Sequence, residues 1–188
     1  MAPGSDGRTH DDQITDLARS AGRGDRAALS EFIRCTQRDV WRMVAYLADP
    51  GSADDLTQET FLRAMGSLPS FTGRSTARTW LLSIARRVVA DHFRSKMRRP
   101  RSAQVADLDE ALGQGRRGSR IENMVEIRIL LDGLDPKRRE ALIVTQVLGL
   151  SYAEAAEVCG CPVGTIRSRV ARARDDLLRA TAEDDCAG

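Results

Sequence analysis

Aromatic residues are scarce in this 188-residue chain, at 4%. Ala, Leu and Arg are frequent instead, a balance that favours helices over sheets. No apolar run approaches the roughly 20 residues needed to span a bilayer, so no membrane insertion is expected. The polar, partly acidic opening from Met1 to Asp12 lacks the pattern of a secretory signal, and a cytoplasmic location is expected. Histidines number only two, His10 and His92. Without a secretory signal, the cysteines Cys35, Cys159, Cys161 and Cys186 do not suggest a disulfide framework. Cys159 and Cys161 stand too close for a Cys-x-x-Cys clip and no histidine lies near them, so no metal site and no cofactor are expected. There is no glycine-rich phosphate loop and no nucleophile–base constellation. No catalytic residue is nominated, and an enzyme is not expected.

Net charge is also small, at +2. Its distribution is more informative. Seven Arg or Lys residues against one Asp lie between Arg86 and Arg101, and four arginines with no acid between Arg167 and Arg174. Acids gather at Asp54–Glu59, Asp107–Glu110 and Asp175–Asp185. Such segregation suits separate basic and acidic contact faces, although any one cluster also fits a solvated helix face.

Periodicity gives an all-α chain of two small helical domains joined by a flexible linker. Residues 1–11 read as a disordered tail, 12–97 as the first domain, 98–118 as the linker, 119–180 as the second domain and 181–188 as a second tail. In the first domain Leu29, Phe32, Ile33, Thr36, Val40, Val44 and Leu47 keep helical spacing. A second helix is expected over Ala53–Ser67, stopped by Leu68-Pro69. Ser75 or Thr76 would cap a third, whose apolar stripe is Ala77, Trp80, Leu81, Ile84, Ala85, Val88 and Val89. Trp80 therefore reads as core. The second domain opens with Ile121, Met124, Val125 and Ile129. Asp135-Pro136 then starts a helix. Ala141, Leu142, Thr145 and Leu148 continue its stripe, and Gly149 ends it.

Ser151-Tyr152-Ala153-Glu154 is a capping box. It opens a short helix, Ser151–Val158, followed by Cys159-Gly160-Cys161-Pro162 and a second helix to about Leu178. Ala156 is small enough for a close helix crossing, Gly160 can take positive φ, and Ile166 can pack back beneath the first helix. This is the spacing of a DNA-binding helix-turn-helix. Arg167, Ser168, Ala171 and Arg172 would share the exposed face of the second helix, flanked by Arg169 and Arg174. Arginine reads guanine edges or clamps phosphate, and Thr165 at the helix start can meet a phosphate.

These motifs resemble the extracytoplasmic-function sigma factors. Tyr152–Ala156, Cys161–Arg169 and Ala171–Asp175 are similar to the family's last domain. Asp54–Phe61 resembles its polymerase-binding segment. Phe71–Ser75, Thr79–Leu81 and Ile84–Arg86 resemble its promoter-melting segment. The resemblance implies that Asp54, Asp55, Gln58 and Glu59 dock on the β′ clamp helices of core RNA polymerase. It implies that Thr72, Arg74, Ser75, Thr76, Arg78, Arg86, Arg87, Asp91, His92 and Arg94 hold the minus-10 element of promoter DNA. Thr165, Arg167, Ser168, Arg169, Ala171, Arg172 and Arg174 would hold the minus-35 element, with the β flap as the second domain's polymerase partner. Asp107, Asp109 and Glu110 in the linker would mimic RNA charge. Anti-sigma factors often cover members of this family and are a further partner to consider. A one-component regulator would use the same helix-turn-helix but has no need of Asp54–Phe61. A decoy for an anti-sigma factor has no need of the arginine face.

Overall fold

A computed structural model describes residues 6–98 and 130–185, with side chains placed for residues 10–98 and 130–180. All elements among these residues are helical. Contacts divide the chain into two compact units, the first taking in residues up to Asp91 and the second most of the remaining chain.

Helix α1 (Asp6–Gly22) begins inside the segment expected to be a tail. The sequence pattern is weak there because few large apolar residues mark the helix. Ile14 and Ala18, four apart, are buried nonetheless, and α1 packs on α2. Gly24 turns the chain at φ +99°. Asp25 then caps α2 (Arg26–Leu47), its Oδ1 accepting from the Ala27 and Ala28 amides at 2.9 and 3.0 Å. Phe32, Thr36, Val40 and Val44 form the buried stripe of α2, one residue per turn. Thr36 satisfies its buried hydroxyl by donating to the Phe32 carbonyl at 2.7 Å.

Asp49 caps the Pro50–Ser52 turn through the Ser52 amide at 2.8 Å. Helix α3 (Ala53–Ser67) comes next with the bounds its pattern implied, burying Leu56, Thr60, Phe61 and Ala64. The turn Leu68–Ser70 carries the chain into a loop, and α4 (Ala77–Arg98) begins after it. Two threonines finish the start of α4. Thr76 Oγ1 accepts from the Thr79 amide at 3.2 Å, and Thr15 Oγ1, far back in α1, accepts from the Ala77 amide at 3.0 Å.

In the second unit Asp135 caps α5 (Pro136–Leu142), accepting from the Lys137 and Arg138 amides at 3.0 and 3.3 Å. The stripe does not continue as a regular α-helix to Leu148. It passes into a π-helical turn, Ile143–Val147. Ala141 through Thr145 are all buried. Five consecutive residues exceed what one face of an α-helix covers, and the widened turn accommodates them. Gly149, at φ +71°, ends the element. Helix α6 (Tyr152–Cys159) comes after it, and α7 (Val163–Asp185) packs on α5. Helix α7 continues past Leu178 into the expected tail, since no glycine or proline interrupts it there. The linker, with Asp107, Asp109 and Glu110, and the stripe Ile121, Met124, Val125 and Ile129 lie outside the described residues.

Apolar burial dominates the energetics. A fully buried Phe, Ile or Leu contributes roughly 1.5–3 kcal/mol, whereas an exposed ion pair such as Arg19–Asp16 or Arg179–Asp176 contributes about 0–1. Two less exposed pairs join separate helices: Arg78–Asp39 at 2.7 Å ties α4 to α2, and Arg138–Asp176 at 2.5 Å ties α5 to α7.

Candidate nucleic-acid interface

The capping box at the start of α6 is formed as its residues imply. Glu154 accepts from the Ser151 amide at 2.9 Å, and Ser151 Oγ accepts from the Glu154 amide at 3.3 Å. Gly160 turns the chain at φ +63°, a conformation costly for a residue with Cβ. The Cys161 amide then closes the turn on the Ala156 carbonyl at 3.0 Å. Ile166, Val170 and Ala173 face inward from α7, and Ala155, Ala156, Val158 and Cys159 are buried in α6.

With its inward face fixed, α7 must present the opposite one. Arg167, Ser168, Ala171 and Arg172 lie together there, all exposed. Thr165 is half-buried at the helix start. Ser168 donates its hydroxyl to the Thr165 carbonyl at 3.0 Å. The flanking arginines are differently placed. Arg169 is half-buried, with Nη1 3.5 Å from Cys161 Sγ, and Arg174 donates to Gln146 Oε1 at 3.0 Å. Gly164, one turn ahead of Arg167 and Ser168, is exposed with nothing within 4 Å of a Cβ added there. It lies within the Cys161–Arg169 stretch that resembles the family's last domain.

In the first unit, Asp55 and Gln58 lie on the outward side of α3, Asp55 exposed. Asp54 accepts from Trp41 Nε1 at 2.8 Å. Glu59 is held by Arg63 at 2.7 Å, and the same guanidinium reaches Asp91 on α4 at 2.6 Å. Those hydrogen bonds, to Asp91 first and Glu59 next, raise the Arg63 pKa. Leu62 and Met65 extend the outward face of α3, at 54% and 37% exposure. Both are large apolar side chains off the buried stripe, four and seven positions after Gln58.

The loop residues Thr72 and Arg74 border Gly73, and Ser75 is half-buried. Thr76 serves as a helix cap. Arg78 is engaged with Asp39, its Nε donating at 2.7 Å, and Asp91 with Arg63. Trp80 is half-buried rather than core. Its ring sits 5.0 Å from that of Phe71 at the start of the loop, tilted by 43°. Arg87 and Arg94, two turns apart on α4, are exposed, while Arg86 and His92 are half-buried. The His92 ring lies edge-on to Phe93 at 5.8 Å. Among the described residues, no helix is long and apolar enough to cross a membrane.

Residues 32–99 match the Sigma-70 region 2 family and residues 124–177 the Sigma-70, region 4 family. The chain is 57% identical over 178 residues to the ECF RNA polymerase sigma factor SigC of Mycobacterium tuberculosis, covering 95% of this chain and 96% of that one. Its fold is similar to CnrH, solved in complex with the cytosolic domain of CnrY, with TM-score 0.73, 25% identity, and coverage of 92% and 99% of the two chains. It is also similar to the sigma factor RpoE of Bartonella quintana, solved with the anti-sigma factor NepR, with TM-score 0.63, 27% identity, and coverage of 80% and 94%. A region 2 unit carrying an acidic helix and a basic one, succeeded by a region 4 helix-turn-helix with an exposed arginine face, places this chain in the extracytoplasmic-function family of RNA polymerase sigma factors.

Proposed function

We propose that the chain acts in the cytoplasm and divides promoter recognition between its two units. The exposed face of α7 reads the minus-35 element, with Arg167 and Arg172 at base edges and Thr165, Arg169 and Arg174 toward phosphates. The loop Thr72–Thr76 and the basic side of α4, including Arg86, Arg87 and Arg94, hold the minus-10 strand. Arg78 and Asp91 support that surface from within. The outward face of α3 docks on the β′ clamp helices, with Asp54, Asp55, Gln58 and Glu59 supplying charge and polarity and Leu62 and Met65 apolar area. The second unit meets the β flap. An anti-sigma factor is a natural inhibitor, since RpoE of Bartonella quintana was solved with one.

The observation that carries this reading is the arginine face of α7, exposed opposite a fully buried seam of Ile166, Val170 and Ala173. The test is to mix the chain with bacterial core polymerase, transcribe genomic fragments and map the start sites. A shared two-element motif upstream is expected. Arg172→Ala should relax the upstream element by about 1–3 kcal/mol at one position. Gln58→Ala with Glu59→Ala should lower polymerase binding. Starts unaltered by Arg172→Ala would remove α7 from minus-35 readout.

A further inference from the structure

Arg19 belongs to none of the surfaces assigned above, yet it lies against the loop that holds the minus-10 strand. A Cβ added to Gly73 would meet Arg19 Nη2 at 2.6 Å, Nε at 3.2 Å and Cζ at 3.3 Å. Three atoms of the guanidinium at such short range mean that the group is seated on the glycine. Gly73 also holds φ +71°. The backbone conformation is what favours glycine at this position, and the absence of a Cβ leaves room for the guanidinium beside it.

The guanidinium is only partly used. Arg19 Nη1 donates to Asp16 Oδ1 at 3.0 Å, which orients it, and the side chain remains 47% exposed. A guanidinium carries five N–H donors, and one such bond leaves capacity for an anion. Arg74 is the residue directly after Gly73, and Thr72 the one before it. Two arginines from distant parts of the chain thus border one loop. The chemistry that fits two guanidinium groups and a hydroxyl is an oxygen-rich anion, and a strand held by this loop presents phosphates.

We infer that Arg19, seated on Gly73, completes the strand-binding loop by contacting a backbone phosphate of the melted minus-10 strand. The inference rests on the proposed role of the loop. Asp16 and Gly73 are positioning residues for the contact.

The experiment uses holoenzyme, assembled from core polymerase and the full chain. The probe is a non-template oligonucleotide spanning the minus-10 element of a promoter from which that holoenzyme initiates. Affinity is measured against salt. Arg19→Ala should weaken binding roughly tenfold and flatten the slope of log K against log salt by about 0.7, the loss of one single-strand phosphate contact. Arg19→Lys should keep the slope, since it keeps the charge. An unchanged slope in Arg19→Ala, or a slope lost in Arg19→Lys, would reduce Arg19 to a support for the loop and overturn the inference. A wild-type holoenzyme that binds this oligonucleotide no better than a scrambled one, with Arg74→Ala also silent, would instead sink the loop's assignment.

Discussion

Replacing Gly22 by alanine sets two effects of opposite sign against each other. Alanine is the better helix former, by about 0.5–1 kcal/mol. At Gly22, the last residue of α1, the new methyl would lie 2.6 Å from the Leu68 carbonyl oxygen and 3.2 Å from its carbon. Both atoms are backbone, and the Leu68 side chain is itself buried, so the turn cannot swing away freely. Overpacking of this kind costs about 1–3 kcal/mol. At mid-range the clash should win, leaving a net loss of about 1 kcal/mol. Gly66 in α3 is the matched control, one residue from its helix end with nothing within 4 Å of an added Cβ. Gly66→Ala should stabilise by about 0.5–1 kcal/mol. Urea unfolding monitored by tryptophan fluorescence separates the two, because Trp41 and Trp80, the only tryptophans, both lie in the first unit. With a slope of about 1–3 kcal/mol per molar urea, the midpoints should move in opposite directions and differ by roughly 1 M. Equal stabilisation by both substitutions would show that the contact between Gly22 and Leu68 is not close.

Arg78→Ala should destabilise the first unit by about 1–3 kcal/mol, leaving Asp39 without its cross-helix partner; a double-mutant cycle with Asp39→Ala in the same urea titration should show coupling, and additivity would deny the bridge. Ser151→Ala should cost about 1 kcal/mol by opening the capping box, and amide exchange at the start of α6 should quicken, with no change there refuting the cap. Burial, and then the hydrogen bond and charge of Glu31, push the Cys35 thiol pKa up. Less thiolate is therefore present near neutral pH, and alkylation of Cys35 should rise only above the pH at which an ordinary thiol reacts. Mass mapping of iodoacetamide labelling against pH checks this, and Glu31→Gln should move the midpoint down.

The features legible in the sequence were local ones. Helix starts with a built-in cap, at Thr76, Asp135 and Ser151, stand where their residues imply. The helix-turn-helix could be read from three small or apolar residues, Ala156, Gly160 and Ile166, because its geometry is set within one short segment. The features that escaped depend on partners distant in sequence or on a change of helical pitch. Nothing near Arg78 announces Asp39, its ion-pair partner on α2. Trp80 fits an apolar stripe, but Phe71 draws it to the loop. The π turn at Ile143–Val147 was hidden because a stripe read at 3.6 residues per turn assumes that the pitch is constant. The start of α1 was hidden because two buried residues, Ile14 and Ala18, carry little periodic signal.

The hydroxyl of Thr15 bears on where this protein can be cut. The match to region 2 begins at residue 32, whereas α1 ends at Gly22. A fragment trimmed to the matched boundary would strip Thr15 from the buried Ala77 amide. The same cut would discard Ile14 and Ala18 from the core, Gly22 from beside Leu68, and Arg19 from Gly73. The cooperative folding unit thus begins upstream of the region by which the family is identified. An excised region 2 made from that region alone would misreport both the stability of the unit and the shape of its loop.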